Sequence, residues 1–169
     1  MKKKEKVNLR LLCNGDKEEA KESADYGGRY FIEDYDAEYW SDKVILNGDL
    51  FKDLYGTTRN KASDSEKLLS VIKITSKDGK SIHRAFFGKK GISGFNKKDI
   101  ALTANSIRLL SSDGRPEHID EVWVSKGNKF CYYWNHPYHA TRISMKLGIY
   151  SICIAIVLSL LSIFLQFLH

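Results

Sequence analysis

An uncharged run near the C-terminus constrains this chain more than any other feature of its sequence. Leu147 to Leu168 is a stretch of 22 residues, LGIYSICIAIVLSLLSIFLQFL, without one Asp, Glu, Lys or Arg. A helix rising ~1.5 Å per residue would make this run about 33 Å long, which matches the ~30 Å hydrocarbon core of a bilayer. A buried helix of that length in a soluble protein normally contains polar residues. The run therefore predicts a single C-terminal transmembrane helix over 147–168.

The charges around this run predict its orientation. All 27 Lys and Arg and all 21 Asp and Glu lie within residues 1–146. Arg142 and Lys146 precede the run and only His169 follows it, and positive residues favour the cytoplasmic side. The apolar stretch at the start of the chain, Leu9 to Cys13, is too short for the core of a secretory signal. We expect a single-pass protein of the cell (inner) membrane with a cytoplasmic N-terminal domain.

The remaining residues suffice for one domain of ordinary size. We predict a charged N-terminal segment over 1–22, a β-rich soluble domain over 23–135, a juxtamembrane aromatic and basic collar over 136–146, and the transmembrane helix over 147–168. Cys13, Cys131 and Cys153 suggest no disulfide framework, which is typical of a reducing compartment.

Alternating apolar residues bounded by glycine turns predict the β-rich domain. VIKITS and SIHRAFF flank Lys77 to Lys80, where Asp-Gly supplies the positive φ angles of a tight hairpin turn. DEVWVSK and KFCYYW flank Gly127-Asn128 and predict a second hairpin, with Phe130, Tyr132 and Trp134 on one face.

Two shorter patterns complete this prediction. Ile100 to Thr103 predicts a strand followed by a short helical turn, and Asn47-Gly48 predicts a turn. Several short strands joined by such turns are typical of small barrels and of α+β domains. The expected fold class is therefore a small domain, mainly β or α+β and in one form a small β-barrel, followed by the single membrane helix.

A basic module follows an acidic one along the chain. Residues 23–70 contain ten Asp and Glu against six Lys and Arg, whereas residues 71–115 contain ten Lys and Arg against three Asp. Within the basic module the loop Gly88 to Gly94, GKKGISG, lets backbone N–H groups and lysines approach an anion, although it lacks the order of a Walker loop. His83 and Arg108 would extend this surface, and the alternative is that the lysines only keep the domain soluble. The candidate anion-binding residues are Arg84, Lys89, Lys90, Ser93, Lys97 and Lys98.

The juxtamembrane sequence FCYYWNHPYHATRISMK is rich in rings that favour the headgroup level of a membrane. Cys131, His136 and His139 offer an alternative as metal ligands, but their spacing matches no strong zinc motif, and we assign no metal site. The predicted membrane-interface residues are Tyr132, Tyr133, Trp134, Tyr138, Arg142 and Lys146.

Small and polar residues recur along one face of the membrane run. Such a face lets two helices approach closely and form hydrogen bonds, so it predicts a homo-oligomer, with a chance occurrence of small residues as the alternative. The residues of this predicted helix–helix face are Ser151, Ala155, Ser159, Ser162 and Gln166.

We expect a non-enzymatic, membrane-anchored sensor, adaptor or effector that binds an anionic ligand, which would be a nucleotide, a nucleic acid or a lipid headgroup. A bacterial stress or phage-defence response would be one setting for it. The first alternative is a membrane-tethered, metal-dependent hydrolase or nuclease. It would use His83 with Asp34, Asp36 and Glu38, which would share one face of a strand. The second alternative is a protein-docking subunit of a larger complex. The sequence does not identify a cofactor, and we assign no catalytic residue.

Overall fold

The computed structural model describes residues 4–15, 29–32, 35–58, 61, 69–88, 95–112 and 121–167. Over these ranges the chain forms two compact units, Met1–Tyr132 and Tyr133–His169. The strands are β1 (Lys4–Asn14), β2 (Arg29–Ile32), β3 (Lys43–Leu46), β4 (Val71–Thr75), β5 (Ser81–Gly88), β6 (Asp99–Leu102) and β7 (Glu121–Lys126). The helices are α1 (Ala37–Trp40), α2 (Gly48–Tyr55), α3 (Ala104–Leu110), α4 (Lys129–Trp134) and α5 (His139–Phe167).

Six strands close into a barrel in the order β1-β6-β3-β5-β4-β7, and β7 pairs back onto β1. The pairs β1–β6 and β3–β5 are parallel, while β3–β6, β4–β5, β4–β7 and β1–β7 are antiparallel. The ring closes at β1, because Lys4 to Asn8 pair with β7 and Asn8 to Leu11 pair with β6, while the last four residues of β1 pair with β2 outside the ring. Closure pairs both edges of every strand in the ring. The expected β-rich fold, including its barrel form, is confirmed.

The first predicted hairpin is present as β4 and β5, with Ile74 opposite Ile82 and Thr75 opposite Ser81. Gly79 has φ of 84°, the left-handed conformation that this tight turn requires and that glycine adopts without steric cost. The predicted strand near Ile100 is β6, and the helical turn after it is α3, capped by the Thr103 hydroxyl, which accepts from the Ser106 N–H.

The barrel interior is an apolar core to which every strand of the ring contributes alternate residues. Two helices add to it: α2 contributes Leu50, Phe51 and Leu54, and α3 contributes Ile107 and Leu110. Because one face of each strand is buried, alternation places the intervening residues on the outer wall of the barrel.

Part of the outer wall is covered by a second apolar cluster. Leu12, Ile45 and Ala101 of β1, β3 and β6 pack there with Trp40, and Phe87 lies against the same cluster. The Trp40 and Phe87 rings meet edge to face with centroids 4.8 Å apart. The short helix α1 therefore contributes to covering this part of the wall with its Trp40 side chain.

The second predicted hairpin is wrong, because KFCYYW forms helix α4 and not a strand. Asn128 starts the helix: its Oδ1 accepts from the Phe130 N–H at 2.8 Å and its backbone carbonyl accepts from the Tyr132 N–H. A Cβ on Gly127 would lie 2.7 Å from Val71 Cγ1, so only glycine fits where the chain leaves β7 against β4. Local side-chain capping thus outweighs a strand-like alternation of aromatic residues.

Two other predictions concern residues that cap helices. Asn47-Gly48, predicted as a turn, lies at the junction of β3 and α2, where Asn47 Oδ1 accepts from the Asp49 N–H at 3.0 Å and caps the helix. Asp36 and Glu38 do not lie on a strand, because Asp36 caps α1 and Glu38 stands in its first turn. Asn and Asp are ambiguous in sequence, since both favour turns and helix caps.

Helix α5 belongs to the second compact unit and is long and apolar enough to span a membrane. It has 29 residues, which at ~1.5 Å each is about 43 Å. It begins at His139, before the uncharged run, so the predicted collar residues Arg142 and Lys146 lie on the helix itself.

Candidate anion-binding surface

The structure does not bring the predicted anion-binding residues together on one described surface. Lys89, Lys90 and Ser93 lie outside the described residues. Lys97 and Lys98 form the turn before β6, where Lys97 Nζ lies 2.9 Å from Asp53 Oδ2. The hydrogen bond that Lys97 donates to Asp53, together with the charge of that carboxylate, raises the pKa of Lys97. Lys97 is therefore already paired with a carboxylate, although an ion pair this exposed is weak.

Arg84 is not a surface residue, so its predicted place beside the lysines is wrong. Its residue is only 3% exposed, because it lies on the inward face of β5 between Ile82 and Phe86. Its Nε donates to Ser106 Oγ at 2.9 Å and its Nη1 donates to the His83 carbonyl at 2.9 Å. Burial lowers the pKa of Arg84 to about 10, an effect that Asp42 and Tyr132 oppose, so the guanidinium stays charged at neutral pH.

Tyr132 belongs to the same buried polar network, and its predicted place at the membrane interface is wrong. Its hydroxyl donates to Asp42 Oδ2 at 2.7 Å, and the residue is 4% exposed. The other oxygen, Asp42 Oδ1, accepts from Lys43 Nζ at 2.9 Å. Helix α4 is thus tied to the barrel by a hydrogen bond to a carboxylate that also acts on Arg84.

A different set of basic residues lies together on the outer wall of the barrel, on β1, β7, β4 and β5. In one row the strand register pairs Lys4 with Ser125, Ser125 with Lys73, and Lys73 with His83. Directly paired residues on one face of an antiparallel sheet have Cβ atoms about 4.5–5.5 Å apart. This row therefore places Lys73 directly beside His83, with Lys4 two strands away on the other side of Ser125.

The adjacent row completes what we call the basic face. It pairs Lys6 with Trp123, Trp123 with Thr75, and Thr75 with Ser81. Lys4 and Lys6 are exposed, while Lys73, His83 and Trp123 are partly exposed. The two rows hold three lysines and no acidic residue. The next β1–β7 pair on the same face is Asn8 with Glu121, where an acidic residue bounds this surface. Ser125, between Lys4 and Lys73, is buried. The basic face consists of the residues around it: Lys4, Lys6, Lys73, Thr75, Ser81, His83 and Trp123.

Of this face, only His83 was predicted from the sequence to lie on a binding surface. A partial signal exists, because Lys4 and Lys6 alternate with Val7 and Trp123 lies between Val122 and Val124. Alternation indicates which residues point outward, but it does not show that β7 lies between β1 and β4. That neighbourhood depends on barrel closure between strands far apart in the chain.

The groups proposed for metal-dependent hydrolysis do not form a described metal site. Asp34 lies outside the described residues, and Asp36 Oδ1 accepts from the Glu38 N–H at 2.8 Å as the cap of α1. Within the described ranges no group of three or more His, Cys, Asp and Glu could hold a metal ion, and this includes Cys131, His136 and His139. The arrangement therefore gives no support to a metal-activated water.

Cys13 is not activated as a nucleophile. Burial raises the pKa of its thiol above the ordinary 9.0, and the nearby charge of Arg29 opposes this only in part. The thiolate, which is the reactive form, is therefore scarce at neutral pH. Cys13 also contributes to raising the pKa of the Tyr35 hydroxyl, although burial is the larger cause there.

The second unit carries the remaining predicted interface residues at the start of α5. The Lys146 ammonium lies 5.2 Å from the centre of the Trp134 ring, and the His136 and Tyr138 rings stack with centroids 5.3 Å apart. Tyr133 stacks more loosely on His136, with ring centroids 6.5 Å apart. Rings and cations thus lie next to the apolar part of the helix, as at membrane–water interfaces.

On the predicted helix–helix face, two hydroxyls bond to the backbone of their own helix. Ser151 Oγ donates to the Leu147 carbonyl at 2.9 Å and Ser159 Oγ donates to the Ala155 carbonyl at 2.8 Å. The hydrogen-bond donors of both hydroxyls are therefore satisfied without a second helix, and both side chains are small enough to let another helix approach closely. Ser162 and Gln166 lie farther along the same helix.

No protein-family model matches this chain, and no curated protein matches it. Among solved structures, one match is the crystal structure of the computationally designed msDPBB_sym2 protein. It is 10% identical, with a TM-score of 0.43, and the match covers 74% of this chain and 100% of the designed chain. The likeness is too distant to bear on function.

Proposed function

We propose that this chain is a single-pass membrane protein whose cytoplasmic β-barrel domain binds an anionic ligand on the basic face without catalysing a reaction. It would act as a sensor, adaptor or effector at the membrane. The observation that carries the proposal is the row Lys4–Ser125–Lys73–His83 next to the row Lys6–Trp123, because clustered lysines attract anions and a partly exposed tryptophan supplies an apolar contact.

The membrane part of the proposal is supported by α5. The helix has the length and composition to cross a bilayer, and Arg142 and Lys146 stand in its first turns. Positive residues at that end favour the cytoplasmic side for the barrel domain. The small residues of the helix–helix face, Ser151, Ala155 and Ser159 among them, support self-association as a further part of the proposal.

The ligand-binding part is tested with the full chain in nanodiscs of phosphatidylcholine. The probe is a fluorescein-labelled single-stranded oligonucleotide, followed by anisotropy at low and at moderate salt. Lys73→Glu and Lys4→Glu should each weaken binding roughly tenfold and flatten its salt dependence, because each removes a phosphate contact and adds repulsion. Lys52→Glu, which makes the same charge change on the exposed side of α2, is the matched control.

Three outcomes decide the proposal. Binding that falls with Lys73→Glu and Lys4→Glu but not with Lys52→Glu supports the basic face. Binding that falls only with Lys89→Glu and Lys90→Glu would assign the ligand to the glycine loop instead. Equal weakening by all variants, Lys52→Glu included, would show that only net charge matters and would contradict a site on the barrel wall.

A further inference from the structure

We propose that the ligand of the basic face is the anionic lipid surface of the membrane that holds α5, so that the barrel domain docks on its own bilayer. This rests on the proposed function, because it names the occupant of the same surface. The charge of the basic face complements that of an anionic lipid surface. Lys4, Lys6 and Lys73 occupy one continuous part of the outer wall, and the paired positions between them are Ser, Thr, His and Trp.

The position of Trp123 also supports docking of the basic face on a lipid surface. The ring lies at the centre of the face, since its strand neighbours are Lys6 on one side and Thr75 on the other. Trp123 is partly exposed, whereas Trp40, on the covered part of the wall, is 3% exposed. An amphipathic indole with Lys6 directly beside it suits the headgroup level of a bilayer, where rings are partly inserted and ammonium groups meet phosphate.

The short chain between the barrel unit and α5 supports the same inference. The barrel unit ends at Tyr132 and α5 begins at His139, so residues 133–138 join them. Six residues span at most about 20 Å even when fully extended. A domain tethered this closely experiences headgroups at a high effective concentration, so weak contacts suffice to dock it. Three lysines near an anionic surface give a preference on the order of 100-fold over a neutral surface.

Tethering also favours a lipid surface over a free polyanion as the occupant. Three lysines alone give a soluble nucleic acid only a few phosphate contacts, and no tether raises its local concentration. The same three contacts become sufficient when the anionic surface is always within reach of the domain.

The test places the full chain in two kinds of nanodisc, one of phosphatidylcholine and one containing roughly a quarter phosphatidylglycerol, an anionic lipid that supplies the surface potential. Both contain lipid brominated near the glycerol end of its acyl chains, which quenches nearby indoles. Subtracting the emission of the Trp123→Phe variant from that of the wild type isolates Trp123 from Trp40 and Trp134. The difference signal should lose intensity in anionic discs and keep it in neutral discs.

The variants separate charge from apolar insertion. Lys73→Glu should restore the Trp123 signal in anionic discs, and Lys52→Glu, on α2, should not. High salt should restore the signal as well, because surface electrostatics are screened. Equal quenching in neutral and anionic discs would overturn the inference, since insertion would then not depend on anionic lipid.

Failure of this inference is distinguishable from failure of the proposed function. If Trp123 is not quenched in anionic discs while the chain in neutral discs binds the oligonucleotide through Lys73 and Lys4, the occupant is a soluble polyanion and the proposed function stands. If neither quenching nor oligonucleotide binding depends on these lysines, both are wrong.

Discussion

The buried charge of Arg84 is kept inside this barrel by a polar network that includes Asp42 and Tyr132. The guanidinium is held by Ser106 Oγ and the His83 carbonyl, and the charge of Asp42 favours it. Removing one partner of such a network is costly, because the other is left buried without compensation. This network explains why a residue that looks like a surface arginine in sequence is structural.

Two substitutions measure this network. Asp42→Asn should lower the free energy of unfolding by about 3 kcal/mol, since it removes the negative charge that acts on buried Arg84. Tyr132→Phe should lower it by about 1–2 kcal/mol through loss of its hydrogen bond to a carboxylate. Tyr39→Phe, at a residue 48% exposed, is the control and should change little. Urea unfolding of the full chain in detergent, followed by tryptophan fluorescence, gives these values, and equal effects of both tyrosine substitutions would contradict this account.

Cys13 gives a pH-dependent prediction. Because burial raises its thiol pKa above 9.0, iodoacetamide should modify Cys13 half-maximally at a pH above 9.0, and more slowly than a free thiol at pH 8. The contribution of the protonated Cys13 thiol to the free energy of unfolding is fully present below pH 9.0. It is lost as the pH rises through the pKa of the thiol in the folded state, since the unfolded thiol ionises first.

Mass spectrometry of alkylated peptides distinguishes Cys13 from Cys131 and Cys153 without any substitution. Arg29→Gln should slow the reaction further, because the arginine charge is what partly favours the thiolate. Faster alkylation of Cys13 than of a free thiol at pH 8 would contradict this assignment.

At the scale of elements, helix caps and close backbone approaches decide where strands end. β7 ends at Lys126, Gly127 packs against Val71, and Asn128 begins α4. The Gly127 N–H also donates to the Val71 carbonyl at 2.7 Å. One strand-to-helix junction therefore replaces the predicted hairpin and directs Tyr132 toward Asp42.

Gly127→Ala tests this junction. Its Cβ would lie 2.7 Å from Val71 Cγ1 and 2.8 Å from the Val71 carbonyl oxygen, so the backbone must shift. We expect a loss of about 1–3 kcal/mol in the free energy of unfolding, the usual cost of overpacking. Gly48→Ala is the matched control, because a Cβ there meets nothing within 4 Å, and it should be neutral or slightly stabilising. Equal effects of both substitutions on the urea midpoint would exclude steric crowding as the cause.

At the scale of the whole molecule, a closed barrel is joined by six residues to a helix that could cross a membrane. The six strands of the ring are paired on both sides, so associations through the ring use its outer wall or its ends, while β2, outside the ring, pairs only with β1 among the described residues. The basic face and α5 are therefore the two surfaces on which the proposed function depends.

The double substitution Ala155→Leu with Ser159→Leu tests whether α5 self-associates through its helix–helix face. Both changes enlarge small residues on one helix face while keeping the run apolar, so the chain should stay in the membrane fraction after alkaline carbonate extraction. If helices associate through this face, cross-linking in membranes should lose its dimeric product. Leu160→Ala with Phe164→Ala, on the opposite side of the same helix, is the control. A dimer that survives the Leu substitutions would show that α5 is a tether alone.

Local patterns were enough to predict some elements of this protein. The uncharged run from Leu147 marked the helix, Asp78-Gly79 marked the β4–β5 hairpin, and Ile100 to Thr103 marked β6 and the start of α3. In each case the residues that carry the sequence pattern are the same residues that form the element. Hydrophobic periodicity and turn-forming residues are therefore sufficient to predict it.

Only the tertiary structure decided which strands are neighbours, and with that the candidate site. Lys4, Lys73 and Trp123 are far apart in the chain, and barrel closure through the β1–β7 and β4–β7 pairs brings them together. The tertiary structure also buries Arg84 on the inward face of β5 and Tyr132 of α4 against Asp42, two residues predicted from the sequence to lie on surfaces. The sequence determined the membrane helix and the β character because these depend on local hydrophobic period. Pairing between distant strands depends on the fit of the whole core, which no local pattern contains.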